Sequence, residues 1–459
     1  MWNVATLDGN QVSKILSINE NQFNDLKDKS NVAKCTKTLS AFANSDGGEL
    51  FVGIRDSRES DRLSYLFQDE EEANGIIQQV FTLFAEGVEY VDIQFLDMDG
   101  AGLCLHIGVQ KTPFVVKSSD GKIFKRINAS DRELKTPAEI SKLELEKGIR
   151  SYEDASVDAT VDEIQGSVTT ATFLENVVPH SSLVDFLKRE RLITGDRLRL
   201  CSLILFDDNP QSLVPHSAVK VYRYRTLEGE GNREDLEGQP HTIEGPIYDL
   251  IYEAVRYTKE KVEEIPLLGD SGFVNVKYPP EAVHEVICNA VLHRDYSIND
   301  YVHIRIFDNR IEVESPGRLA GAVTIKNILK QRYARNKKTV RLVAKFPSPP
   351  NKDVGEGLNT AFKSMQQLNL GRPDIEETES SVIVRLRHEP LASKESLIRS
   401  YLLNQGKINN KTARRVCNVQ SDSIIRKLFR TMISAGELEK VPGTRGTGTQ
   451  YRIPTEPKI

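Results

Sequence analysis

The sequence predicts a multidomain α+β protein, and three observations carry that expectation. A chain of 459 residues is longer than one hydrophobic core organises, so about three domains are expected. Its amino-terminal third interleaves helical periodicity with short β-branched and aromatic runs, the pattern of an α+β domain with a mostly antiparallel sheet. Its carboxyl-terminal end reads as three short helices followed by a Gly-rich hairpin, and it differs in charge from what precedes it. Residues 394–459 hold 13 Lys and Arg against 5 Asp and Glu, a balance of +8, whereas the first 393 residues stand at −13. A basic end on an acidic body points to one domain that faces phosphate.

Composition narrows the classes further. A hydrophobic fraction of 39% and a charged fraction of 28% are those of an ordinary soluble protein. No apolar run has the length of a membrane span, and residues 1–30 lack a positive segment followed by an apolar one, so a cytoplasmic protein with no membrane partner is expected. Cys35, Cys104, Cys201, Cys288 and Cys417 are scattered through apolar patterns. They argue for buried thiols and against a disulfide framework or a zinc site.

In chain order, a first domain is expected over 1–150. Asn19 to Lys27 is a polar segment, followed by a helix that buries Val32, Cys35, Leu39 and Phe42. Asn44-Ser-Asp-Gly-Gly48 ends that helix, and Glu49 to Ile54 is a strand that delivers Arg55 and Asp56 to a loop. Further strands are expected over 90–95, 103–109, 114–116 and 123–127, then a helix over 136–145. Tyr152 to Thr160 reads as a polar connector into a second region, 151–392. There, 181–191 is an amphipathic helix, 200–206 an apolar strand stopped by Asp207-Asp-Asn-Pro210, 219–223 a strand, 228–238 an acidic mobile loop and 246–261 a helix.

The densest pattern runs from Pro280 to Leu319. Ala282, Val283, Val286, Ile287 and Ala290 keep helical spacing, while Glu285, Asn289 and His293 fall at i, i+4 and i+8 on another face, which makes a helix with a polar stripe. Val302, Ile304 and Ile306 then alternate with His303, Arg305 and Phe307, turn at Asp308-Asn309, and resume with Ile311 and Val313 as a hairpin. A basic segment over 326–338 and a closing strand over 382–386 complete the region.

The last region, 393–459, has the pattern of a winged helix. Leu397, Ile398, Tyr401 and Leu402 mark a first helix, 411–417 a second and 421–435 a third, with Ser421 as its N-cap. Ile424, Ile425, Leu428 and Met432 aim the third helix at a core and leave Ser423, Arg426, Lys427 and Arg430 outward. Strands over 437–441 and 450–453 flank a Gly-rich tip that carries Arg445. A basic helix face beside a basic hairpin suits duplex DNA, read through the major groove and the adjacent backbone. Protein docking is the other use of such a fold.

Two stretches resemble known families. Glu285-x-x-x-Asn289-Ala-x-x-His293-Arg-Asp-Tyr296, followed by Asp308-Asn-Arg-Ile-Glu312 and Pro316-Gly317, resembles the divergent GHKL, or Bergerat-type, ATPase module of RecG-like carboxyl-terminal domains. The resemblance implies an α/β sandwich, ATP as cofactor, a Mg²⁺ ion held by Asn289 and a water oriented by Glu285. Val354-Gly-Glu-Gly-Leu358 looks like the family's Gly-x-Gly-Leu box, with Gly355 and Gly357 approaching phosphate at a helix start, and 326–338 stands where the family has a lid; a solvated basic loop is the alternative. The adenine-reading Asp-x-Gly-x-Gly box is missing. Ser315-Pro-Gly-Arg-Leu319 stands in its place, with Gly317 as the surviving flexible position and Arg318 where a Gly is expected.

Glu20-x-x-x-x-Asp25-x-Lys27, Ser40-Ala-Phe-Ala-Asn-Ser-Asp-Gly-Gly48 and Lys125-Arg-Ile-Asn-Ala-Ser130 look like the Schlafen-type AlbA domain, over about 130 residues. The resemblance implies nucleic-acid binding, DNA or RNA, with Lys125 and Arg126 supplying grip. In relatives that cut RNA three carboxylates act, and Glu20, Asp25 and Asp56 stand at the matching places, where they would hold Mg²⁺ or Mn²⁺ while Lys27 meets the scissile phosphate. Asp25 is one methylene shorter than the Glu usual there. Together these features predict a cytosolic nucleic-acid-binding protein with an ATP switch, a DNA-binding regulator or a genome-defence component. The rivals are a metal-dependent endonuclease and an assembly scaffold, and self-association into a homo-oligomer is left open.

Overall fold

The computed structural model describes residues 3–30, 32–55, 62–227, 229, 231–269, 272–276, 278–351, 357–368, 370–388, 394–417, 421–444, 446 and 449–454. Its first part runs β1 (Val4–Thr6), α1 (Gly9–Leu16), β2 (Asn24–Lys27), α2 (Val32–Ala43), β3 (Gly48–Val52), α3 (Asn74–Leu83), β4 (Val91–Asp97), β5 (Leu103–Val109), β6 (Phe124–Ile127), β7 (Ser130–Glu133) and α4 (Pro137–Glu146). Five strands make a sheet in the order β1-β4-β5-β3-β2. The inner ladders β4–β5 and β3–β5 are antiparallel, and the outer ladders β1–β4 and β2–β3 are parallel. The expected mostly antiparallel sheet is therefore evenly mixed. One sheet face packs on α2 and α3 through Cys35, Leu39, Phe42, Ile76 and Val80, the other on α1 through Val12.

Two expectations for this part need correction. The polar segment around residue 25 contains the edge strand β2, in register with β3 from Asn24↔Glu49 to Lys27↔Val52; an edge strand needs few apolar side chains, so its sequence hides it. Residues 114–116 form no strand, and only the neighbouring bridge Lys117↔Ile123 pairs there. The Gly-Gly that ends α2 is sterically required. Gly47 has φ +84° and a Cβ there would lie 2.5 Å from the Val109 carbonyl, while one on Gly48 would meet the Phe42 ring.

The second part begins with β8 (Ser156–Thr160), α5 (Val161–Gln165), α6 (Val168–Val177), α7 (Leu183–Arg189), β9 (Ile193–Thr194), β10 (Arg197–Arg199) and α8 (Leu200–Phe206). Here the expected polar connector is a strand, β8, in a three-stranded sheet ordered β8-β10-β9. The expected apolar strand over 200–206 is the helix α8, every residue of which is buried; an apolar run enclosed on all sides has no periodicity to separate strand from helix.

It continues with β11 (Val219–Arg223), β12 (His241–Ile243), α9 (Ile247–Glu263), β13 (Pro266–Gly269), β14 (Gly272–Asn275), α10 (Pro280–Leu292), β15 (Val302–Ile306), β16 (Arg310–Pro316), α11 (Lys337–Val343), α12 (Gly357–Gln367), β17 (Asp374–Glu377) and β18 (Ser381–Arg387). Six of these strands form a sheet ordered β12-β11-β15-β16-β18-β17. Val302, Ile304, Ile306, Ile311 and Val313 bury one face of it in a core shared with Ile251, Ala254, Val286 and Ile287 of α9 and α10 and with Ala361 and Met365 of α12. The result is a helical layer on a mixed sheet, with the 302–316 hairpin at its centre. The acidic loop expected to be mobile is anchored where it is described. Tyr224 bridges Leu236, and Arg310 Nη2 donates to the Gly229 carbonyl at 2.7 Å.

The third part holds α13 (Lys394–Gln405), β19 (Ile408–Asn409), α14 (Asn410–Val416), α15 (Asp422–Ser434), β20 (Glu439–Lys440) and β21 (Gln450–Arg452), with a sheet ordered β19-β21-β20. Ile398, Leu402, Ile425, Leu428, Phe429 and Met432 enclose its separate core. Ile424, expected to face that core, is 45% exposed. Ser421 precedes α15 but makes no side-chain cap bond; its hydroxyl pairs with that of Ser423 at 2.7 Å. All five cysteines are buried and none is joined in a disulfide. Among the described residues no helix is long and apolar enough to cross a membrane.

Candidate nucleotide pocket and acid cluster

A cavity of about 910 Å³ opens beside α10, bounded by the 315–335 segment, by β16 and β18 and by the first turn of α12. That volume is at the upper end of ligand pockets, roughly 300–1,000 Å³. Apolar residues of α10 lock into the core, which turns Glu285, Asn289 and His293 toward the cavity. Asn289 Nδ2 donates to Glu285 Oε1 at 2.7 Å. This bond turns the carboxamide oxygen away from the glutamate, and among the described residues Asn289 Oδ1 accepts no hydrogen bond. Burial raises the Glu285 carboxyl above its usual range, against the pull of Asn289. His293, one turn on, is held neutral, its pKa pushed down to about 4 by burial and by the Arg335 guanidinium. Its Nδ1 has no partner, and neither has Asn351 Oδ1 on another wall. Both atoms are themselves buried, in residues that border the cavity, and a buried polar atom without a partner is the exception in a folded chain.

The other expected contacts divide. Gly317 borders the cavity at φ +102°, and a Cβ there would lie 2.5 Å from Asp295 Cβ and 3.3 Å from Arg335 Nη2, so its missing side chain makes room for the protein's own Asp295–Arg335 ion pair of 2.7 Å. Gly357 opens α12, whose Leu358, Asn359 and Thr360 line the cavity, while Gly355 lies outside the described residues. The 326–338 segment is solvated at Lys326, Lys330, Gln331 and Arg332 and fixed near its end. Arg335 is buried in that ion pair, and Asn336 Nδ2 donates to the Leu292 and Arg294 carbonyls at 2.9 Å each.

The amino-terminal acids are arranged differently. Asp25, 1% exposed, sits between two cations. Lys27 contacts its Oδ1, and Arg126 Nη1 meets its Oδ2 at 2.6 Å. Lys27 also reaches Glu20 Oε1 at 3.1 Å. Burial first, and Glu20 beside it, push Asp25 up to about 6 despite Lys27, and the same pairing raises the Lys27 ammonium. Arg126, expected to grip phosphate, is 2% exposed. Its five N–H groups go to Asp25, Asp131, Asn24 and, twice, Asn21, which leaves none for a ligand. Lys125 is paired with Glu146. Asp56 lies outside the described residues, and among them no three His, Cys, Asp or Glu side chains form a metal-holding group. Glu20 and Asp25 as placed do not fit a divalent ion, because two protein cations already neutralise them.

On α15, Ser423, Arg426, Lys427 and Arg430 are exposed; Arg426 meets Asp422 at 2.6 Å along the helix. Arg445 lies outside the described residues. Sequence reasoning missed the contacts between the first two parts. Arg318 Nη2 donates to both carboxylate oxygens of Asp46 at 2.9 Å, and its Nε lies 3.2 Å from Glu377, near in distance though not in hydrogen-bond alignment. Lys111 Nζ donates to the Leu319 carbonyl at 2.7 Å, Gly321 N to the Glu146 carbonyl at 3.2 Å, and Tyr333 to the Gly148 carbonyl. Within the second part, Glu153 accepts from the Lys338 and Thr339 amides at 2.9 Å each, at the start of α11. Partners so far apart in sequence leave no local signal.

Residues 20–135 match the family described as Schlafen, AlbA_2, and residues 299–386 match the family described as putative ATP-dependent DNA helicase recG C-terminal. This is the domain composition to which the motifs pointed. The chain aligns over 97% of its length with 96% of the DIP2311 protein from Corynebacterium diphtheriae, a crystal structure, at 16% identity and a TM-score of 0.42. No curated protein matches the chain.

Proposed function

We propose that this is a nucleic-acid-binding protein whose central module, a Bergerat-like α/β sandwich, binds Mg²⁺-ATP and thereby sets how its two outer parts engage nucleic acid, as a DNA-binding regulator or a component of genome defence. The observation that carries the reading is the Asn289–Glu285 pair on the wall of the 910 Å³ cavity, in a chain matched to RecG-like and Schlafen AlbA_2 families. Asn289 offers an unshared amide oxygen, a hard ligand suited to Mg²⁺. Bound there, Mg²⁺ would supply charge neutralisation for phosphate. Glu285 holds the Asn289 amide in place, and as the nearest carboxylate it is the residue to orient a water. His293, kept neutral, can donate or accept one hydrogen bond to the ligand. The start of α12 faces the same space, where backbone amides favour anions.

The carboxyl-terminal part, read as a winged helix, grips duplex DNA with the exposed Lys427, Arg430 and Arg426. The amino-terminal part binds DNA or RNA without cutting it, a reading supported by the closed, neutralised state of Glu20 and Asp25. The test is to incubate the full chain with labelled duplex DNA, single-stranded DNA and tRNA, with and without ATP and Mg²⁺ or Mn²⁺, while calorimetry follows ATP. Nucleic-acid binding that responds to ATP is expected, without cleavage; no heat with ATP would remove the switch, and metal-dependent cleavage would restore the endonuclease. Replacing Lys427 and Arg430 by Ala should lower the slope of log affinity against log salt by about 0.9 for each lost phosphate contact.

A further inference from the structure

We propose that the Asp46–Arg318 pair is a coupling latch: it ties the wall of the nucleotide cavity to the polar cluster that braces the amino-terminal part, so that a change at either end is felt at the other. This inference rests on the cavity being a nucleotide site and adds its regulation. Arg318 stands where a nucleotide-reading box is expected, and it borders the cavity, yet its guanidinium turns to Asp46 at 2.9 Å and toward Glu377. Asp46 follows Ser45, whose Oγ accepts from the Arg126 backbone amide at 2.8 Å. Arg126 in turn holds Asp25 at 2.6 Å. From Asp25 to the cavity the path is thus Arg126, Ser45, Asp46 and Arg318, each joined to the next by a hydrogen bond, an ion pair or a peptide bond. Every link is short and at least partly buried, so little slack separates the two ends.

The turn that carries Asp46 cannot adjust independently. Gly47 next to it has a positive φ and no room for a side chain, since a Cβ there would lie 2.5 Å from the Val109 carbonyl, and Asn44 Nδ2 donates to the Val116 and Phe124 carbonyls at 2.8 and 3.0 Å. On the other side, the Arg318 carbonyl accepts from Arg335 Nη2, whose guanidinium also holds Asp295. A ligand that repositions the 317–335 wall must therefore either move the Asn44–Gly48 turn or break the Arg318 pair. Linkage makes the effect reciprocal, with couplings typically about 5- to 150-fold.

Hydrogen exchange of the full chain tests the latch without and with ligand. In ligand-free protein, Asp46→Ala should speed exchange of amides 317–323 and Arg318→Ala that of amides 44–48; effects confined to the mutated side would overturn the latch. With saturating ATP and Mg²⁺, wild-type amides 44–48 and 124–127 should slow by about 5-fold or more, and Asp46→Ala should lose that response while still giving heat with ATP in calorimetry. Wild-type amides indifferent to ATP that calorimetry shows to be bound would also overturn it. An absence of ATP heat would instead strike the nucleotide assignment, and the ligand-free arm would still decide the latch.

Discussion

The acid cluster at Asp25 and the cavity at Asn289 use similar residues to opposite ends. In the first, two carboxylates face two cations, Lys27 and Arg126, and the side chains satisfy one another. In the second, one carboxylate faces an amide, and an imidazole nitrogen and a carboxamide oxygen have no partner. The first arrangement is closed by the protein's own charges, and the second leaves polar atoms without partners beside a cavity. The difference teaches that a carboxylate in a recognised motif predicts chemistry only after its partners are known, since a buried acid that already has its cations has little affinity left for a metal.

The largest expected effect follows from the closed cluster. Arg126→Ala leaves Asp25 buried with half its partners and removes the cation from Asp131, which keeps the Thr38 hydroxyl at 2.6 Å, so unfolding of the amino-terminal part should become easier by about 3–5 kcal/mol. Urea denaturation followed by a probe in that part measures this; a change under about 1 kcal/mol, the scale of an exposed ion pair, would mean that the cluster is open to solvent and to ligands. The cavity should respond in the other currency. Asn289→Ala should shift the urea midpoint little but weaken Mg²⁺-ATP in calorimetry on the order of 100-fold or more, since even residues behind a metal ligand are worth 10–100-fold. Unchanged ATP affinity would dissolve the contrast between the two regions.

How much of this was legible in the sequence depended on how local the cause was. The stripe Glu285, Asn289, His293 and the hairpin at 302–316 were legible, because helical and alternating periodicity place them without reference to the rest of the chain. Strand β2 and helix α8 were not: an edge strand can be polar, and a fully enclosed helix shows no amphipathic period. Arg126 was read as a phosphate contact because charge is visible in sequence and burial is not. Asp46 and Arg318, 272 residues apart, carry no mutual signal at all in one sequence. The motifs thus drew attention to both regions, and tertiary pairing decided which of them is closed by its own side chains.

The effect of pH is the most discriminating, because the two regions should answer it with opposite sign. Asp25 titrates near 3.8 in an unfolded chain and is raised to about 6 in the fold, so the stability it contributes is complete below about pH 3.8 and is lost as pH rises through about 6. His293 is lowered from 6.5 to about 4; its contribution is complete above about pH 6.5 and is lost as pH falls toward 4, when the enclosed imidazole must take a charge beside Arg335. Between about pH 4 and 6.5, therefore, the amino-terminal part should lose the Asp25 contribution on alkalinisation, while the cavity module should lose the His293 contribution on acidification. Urea midpoints read by one probe in each part, across that window, separate the two. Asp25→Asn should remove the first slope and leave the second, and His293→Leu should do the reverse. His293→Leu should also leave the ligand-free protein at least as stable near pH 7, since it deletes a polar group that has no partner, while weakening ATP. A cavity slope that persists in His293→Leu would show that its imidazole is already solvated, and the contrast between the two regions would then lose one of the buried atoms without a partner on which it rests.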